Sequence, residues 1–203
     1  MIPWMYHVVL SFPVSNLVYK NSGLAFLISI WFYPLIWSFS KGHFRNNLII
    51  INTLYHEIAH MIAVVLCLKP VKKIEANADG NGHIMYHGGI SSFINLAPYL
   101  FPYVVYVLVF MGFVFRSNQL IILHILLGSL FGFFAMNVFK DSKPHQPDLK
   151  RTGLVIAYLL IIGYFIFHTL LLLKYVSLRP PSFIAIASDM VHYNLKFWKS
   201  YFL

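Results

Sequence analysis

Residues 48–68 read Leu-Ile-Ile-Ile-Asn-Thr-Leu-Tyr-His-Glu-Ile-Ala-His-Met-Ile-Ala-Val-Val-Leu-Cys-Leu, a run whose one acidic or basic side chain is Glu57. At a rise of about 1.5 Å per residue, such a run is long enough to cross the roughly 30 Å hydrocarbon core of a bilayer as a helix. The rest of the chain has the same character: of 203 residues, 59% are hydrophobic and 10% are charged. Soluble domains carry about a quarter charged residues. A chain with so few could not cover its own surface in water, which excludes a soluble enzyme and a disordered linker. The net charge of +9 comes from 15 Lys and Arg residues scattered over short loops. With no basic stripe, that is membrane-flanking charge, and no nucleic-acid partner is expected.

Working outward from this run, four further apolar stretches are bounded by charge, Gly or Pro. The predicted membrane segments are 24–39, 48–68, 93–115, 120–139 and 153–173, the first of them short and interrupted by Pro34. Trp4, Trp31, Trp37 and Tyr175 fall where interfacial aromatics are expected. Between the second and third segments, Val71–Gly89 flanks Asp79-Gly80-Asn81-Gly82 with loosely alternating residues, which signals a β-hairpin. Lys140 to Thr152 is a polar loop whose prolines interrupt any continuous helix, and 182–203 reads as an amphipathic helix lying on the membrane surface.

The expected fold is therefore an all-α polytopic membrane protein. It has about five transmembrane helices, a small β-hairpin between the second and third, and a C-terminal amphipathic helix, forming one membrane-embedded domain over 1–203. Residues 1–19 lack a basic n-region and a small-x-small cleavage site, so no cleavable signal peptide is expected. The single cysteine, Cys67, reads as packing. Basic residues divide eight against seven between the two sides of the five-span topology, which leaves orientation open.

Glu57 is the only Asp, Glu, Lys or Arg in the five proposed spans. A carboxylate at that depth costs several kcal/mol (about 3 on insertion scales) unless paired or liganded, and is a functional candidate by default. Its neighbours supply the reason. His56 and His60 are four residues apart, which on a helix puts both imidazoles on one face, the geometry for gripping one Zn²⁺. Glu57 adjoins them and can serve as general base on an activated water without being a ligand. With ten His and two Glu in the chain, His-Glu-x-x-His would arise by chance about 0.005 times. A catalytic zinc wants a third protein ligand, for which Asp148, Asp141, His145, His83, His87, His124 and His168 are the candidates. In a strand, His83 and His87 would stand about 13 Å apart, so both cannot hold one ion.

The segment Asn52-Thr53-Leu54-Tyr55-His56-Glu57-Ile58-Ala59-His60, followed by a Lys-Pro-Val turn and a hairpin ending Gly88-Gly89, resembles the site-2 protease family of intramembrane zinc metalloproteases, in particular its small bacterial M50-like members. The resemblance implies that an Asp on a later segment joins the two His, which points to Asp148 in Gln146-Pro147-Asp148-Leu149. It also implies that Asn95, beside Pro98, binds substrate, and that the protein is a multi-pass component of the bacterial inner membrane. The expected function is hydrolysis of peptide bonds in transmembrane or membrane-associated protein substrates, with Zn²⁺ as cofactor and the lipid bilayer as surroundings. The alternative is a non-catalytic metal-binding scaffold or chaperone on a protease-like fold. The small-residue pair Gly128 and Gly132 allows close helix approach, either within the chain or in a homo-oligomer.

Overall fold

The computed structural model describes residues 2–11, 21–76, 82–89, 91–112, 120–177 and 183–202. In chain order its elements are α1 (Ile2–Ser11), α2 (Asn21–Ser29), α3 (Phe32–Phe39), α4 (Gly42–Leu66), β1 (Val71–Ala76), β2 (Gly82–Tyr86), α5 (Ser92–Leu100), α6 (Tyr103–Met111), α7 (Leu120–Asp141), α8 (Pro147–Thr152), α9 (Leu154–Ser177) and α10 (Phe183–Phe202). The chain is mostly helical with one small antiparallel sheet. Among the described residues three helices, α4, α7 and α9, are long and apolar enough to cross a membrane. The expected tail helix is α10, whereas the expected turn Asp79-Gly80-Asn81 lies outside the described residues.

Two predicted segments are divided. The stretch 93–115 is not one helix: α5 and α6 are bent by 61° with respect to one another. Pro102 follows Phe101, and proline disfavours helical geometry in the residue before it; Phe101 is accordingly extended, at φ −118° and ψ 101°. The stretch 24–39 contains α2 and α3, each too short to span alone. Pro34 lies in the first turn of α3, where its missing N–H costs no hydrogen bond.

The described residues pack as two compact units. One draws on Met1–Ile30, Val104–Leu130 and Gly163–Leu203. In it α1 packs on α10, with His7 stacked on Tyr193 at 3.5 Å between ring centroids and the buried Trp4 edge-on to Phe167. A Cβ on Gly128 would collide with Ser29 Oγ and the Phe26 carbonyl, so this glycine serves close helix approach within the chain.

The second unit comprises Trp31–Tyr103 and Phe131–Ile162. Its centre is α4, whose last turn closes in an unusual way. Leu68 takes a left-handed φ of 56°, and the N–H groups of Leu68 and Lys69 donate to the carbonyls of Val65 and Val64 at 2.9 and 3.0 Å. This is the two-bond termination that usually carries glycine at the left-handed position. It reverses the chain within three residues, and Pro70 then leads into β1. The strands pair Ile74 with Ile84 and Glu75 with His83, with an irregularity between Val71 and Lys73 that leaves Lys72 as an extra residue. That bulge restores Val71 to the face carrying Ile84 and Tyr86. All three pack, with Cys67, on a buried cluster of Ala63, Val64, Ile94 and Ala97 from α4 and α5. The hairpin is thereby held against the second half of α4.

Leu68 is 93% exposed, so a substitution there tests the backbone and little else. Leu68→Gly is expected to hold or raise the Tm in detergent. Leu68→Val, whose branched Cβ suits a left-handed φ worse, is expected to cost about 1 kcal/mol, read as a lower Tm.

Candidate metal centre

Helix α4 places His56, Glu57 and His60 on the side where 3.6-residue periodicity predicts them. Glu57 and His60 are buried, and the His56 side chain is 18% exposed. Opposite them stands Asp148, in the first turn of α8. Pro147 occupies the first helical position, Gln146 ahead of it is extended, and the fully buried Leu149 anchors the element, which packs on α5. Asp148 therefore does not cap the helix; its carboxylate faces the imidazoles.

The three ligand atoms form a nearly equilateral triangle. His56 Nε2 and His60 Nε2 are 3.2 Å apart, and Asp148 Oδ2 lies 3.5 Å from the first and 3.3 Å from the second. Ligands at about 2.0–2.1 Å from a tetrahedral ion stand roughly 3.3–3.4 Å from each other, so two imidazole nitrogens and a carboxylate at these spacings suit one metal ion. The outer nitrogens are also engaged. His60 Nδ1 is 2.7 Å from the Ile94 carbonyl, which as a pure acceptor holds a proton on Nδ1 and so makes Nε2 the nitrogen that gives up its proton when a metal ion binds. His56 Nδ1 faces Asp141 Oδ2 at 3.8 Å. Of the two aspartates that compete for the third position, Asp148 reaches both Nε2 atoms, while Asp141 approaches the other side of one ring. Tyr99 meets the His56 ring edge-on, at 5.5 Å between centroids.

Burial works to raise the Asp148 carboxyl, but hydrogen bonds from His56 and His60 outweigh it and hold it well below the usual carboxylate range. A depressed folded-state pKa stabilises the fold above the unfolded value, and that contribution is lost as the pH falls through the folded one.

The cluster opens on a cavity of about 630 Å³ that also holds Glu57, Asn95 and the inward residues of β2. Asn95 is 4% exposed and follows the residue whose carbonyl fixes His60; its Nδ2 has no protein partner among the described residues. The hairpin comes very near the glutamate. A Cβ on Gly82 would stand 2.8 Å from Glu57 Cγ and Oε1 and 2.7 Å from Thr53 Cγ2. No side chain fits there, and nothing in the sequence beyond a turn-rich stretch signals it.

The other candidates are not brought to the cluster. His83 lines the cavity but pairs across the hairpin with Glu75, at 2.9 Å. The hydrogen bond from Lys73 lowers the Glu75 pKa further than its slight desolvation raises it. His87 and His145 are exposed, and the buried His124 and His168 belong to the other unit, where Tyr106 hydrogen-bonds His168.

Apolar helices of membrane-spanning length and a largely shielded His-His-Asp triangle with the spacing of metal ligands together mark an integral membrane protein with a candidate metal site. Residues 22–179 match the family described as Peptidase M50B-like, and the chain belongs to that family, whose members have a protease-like fold. No match was found among curated proteins or solved structures.

Two outcomes follow. Gly82→Ala is expected to cost about 1–3 kcal/mol through overpacking against α4. Met85→Ala, on the exposed side of the same strand, is expected to stay within about 0.5 kcal/mol; denaturation in detergent compares them. In chelator-treated protein, wild-type Tm is expected to fall as the pH drops below about 4. Asp148→Asn is expected to show less of that decline.

Proposed function

We propose that the chain is an intramembrane zinc metalloendopeptidase that hydrolyses peptide bonds of membrane-associated protein substrates. The observation that carries this reading is the triangle of His56, His60 and Asp148 beside a buried glutamate. In it His56, His60 and Asp148 hold Zn²⁺ and Glu57 is the general base. When bound, zinc supplies Lewis acidity that brings the pKa of a water towards about 7.

The chain's own residues do the remaining work. Glu57 takes a proton from the attacking water and returns it to the leaving amine, which requires its carboxylate to stay aimed into the cavity. The seat against Gly82 and Thr53 limits where that carboxylate can turn. Asn95 Nδ2 donates to a backbone carbonyl of the substrate. A transmembrane substrate must unwind before cleavage, because a helix hides its carbonyls in internal hydrogen bonds. An edge of the β1–β2 ribbon offers backbone groups to the unwound segment by strand addition.

In this reading α4, α7 and α9 are spans, the bent α5–α6 pair makes a fourth, and α2 with α3 makes a fifth. All belong to one membrane-embedded domain in the bacterial inner membrane. The broken backbone at Phe101-Pro102 then has to be shielded from lipid by protein or water.

The test is metal content and turnover together. Purified wild type is expected to carry about one zinc per chain and to cleave a membrane-anchored reporter. His56→Ala, His60→Ala and Asp148→Ala are expected to lose both, and Asp141→Ala to keep most of the metal. Glu57→Gln is expected to keep zinc and lose turnover by a factor of at least about 10². Zinc-free protein from a metal-replete preparation would overturn the reading. Zinc retained without any cleavage would leave a metal-binding scaffold.

A further inference from the structure

The cavity that holds the metal cluster has a second chemical character along part of its wall. Arg45 from α4, Lys140 from the end of α7, Lys143 from the following loop and Arg151 from α8 all line it. The carboxylates in the same lining are Glu57, Asp141 and Asp148. Asp148 is turned to the imidazoles. Asp141 is shared, 3.8 Å from Lys140 Nζ and 3.8 Å from His56 Nδ1. Lys143 and Arg151 are exposed and form no ion pair among the described residues. Cations therefore exceed anions in the cavity before any divalent ion is counted.

Two of the cations are held in place. Trp37, 8% exposed, has the Arg45 guanidinium over its ring at 3.5 Å and the Lys140 ammonium at 4.7 Å. Arg45 also donates to the Trp37 carbonyl and, at 3.1 Å, to Ser40 Oγ. One aromatic ring thus gathers two like charges, and their mutual repulsion is offset in part by the ring face and by the shared Asp141. Such an arrangement is ready for an anion, since the positions of the cations are fixed before it arrives. Solvated loop lysines alone would have no such fastening.

We propose that this wall is a specificity subsite for acidic side chains of the peptide substrate, flanking the bond presented to Glu57. The proposal rests on the protease reading and names the substrate class for that same cavity. A peptide is the occupant because the cations share one cavity with the metal cluster, Glu57 and the inward face of β2. A chain lying along β2 towards Glu57 passes within the same walls. Acidic residues next to its apolar segment meet uncompensated positive charge there, and basic ones are repelled.

The test measures binding without turnover. Zinc-loaded full-length Glu57→Gln protein in phosphatidylcholine nanodiscs is titrated with two synthetic peptides. Each carries the same Leu/Ala-rich membrane segment, followed by a flank of three Glu in one and three Gln in the other. The acidic peptide is expected to bind about five- to tenfold tighter at low salt, and the advantage to fade in about 0.5 M salt. Lys140→Gln combined with Arg151→Gln removes one of the two cations held on Trp37 and one exposed cation, is checked for folding by its zinc content, and is expected to reduce the preference to about twofold or less. Equal binding of the two peptides, or a preference that the double variant retains, overturns the proposal. So does a preference that appears for phosphatidylglycerol nanodiscs and not for the acidic peptide, which would make the wall a headgroup site. Any of these outcomes with zinc still bound removes the subsite alone, whereas absence of zinc in metal-replete protein removes the protease reading.

Discussion

Asp148 Oδ2 sits between two imidazole nitrogens, 3.3 and 3.5 Å away, and this contact fixes α8 against the middle of α4. Everything around it is arranged to tolerate polar groups in an apolar helix. The Ile94 carbonyl takes the outer proton of His60, Asp141 approaches the outer nitrogen of His56, and the cavity gives Glu57 access to water-sized space. Without these partners the same side chains would be among the most costly residues to hold in a membrane segment. The hairpin takes its position from the same helix, because Gly82 lies directly against Glu57 and Thr53.

Much of the site was legible in the sequence because one periodicity suffices for it. Residues 56, 57 and 60 share a helix, and their chemistry is unusual enough in an apolar run to stand out. Asp148 was one of seven candidates on residue chemistry, and the family resemblance singled it out, since a Pro-Asp pair in a polar loop has many ordinary uses. The family itself follows from the match over residues 22–179. The hairpin was legible in kind, but its register was not: Val71 and Ile74 are three apart, and only the extra Lys72 puts both on the inner face.

What escaped reading depends on contacts between remote segments or on a single backbone angle. Hydropathy averages over Phe101-Pro102 and sees one long run where the chain bends by 61°. The end of α4 carries Leu68 where glycine is customary, so no punctuation marks it. The closeness of Gly82 to Glu57, and the sharing of Trp37 by Arg45 and Lys140, join residues far apart in the chain, and pattern reading along one element cannot show them.

The division of the cluster between α4 and α8 bears on how the protein is made. A ribosome finishes α4 well before it reaches Pro147, so the nascent helix meets the membrane with Glu57 and both histidines already present and their carboxylate partner still unmade. For that interval the segment relies on its long apolar flanks to be inserted at all, with Leu48–Ile51 ahead of the polar turn and Ile62–Leu68 behind it. Assembly of the triangle therefore comes after insertion of α4, and the order of synthesis leaves the polar turn uncompensated until Asp148 has emerged.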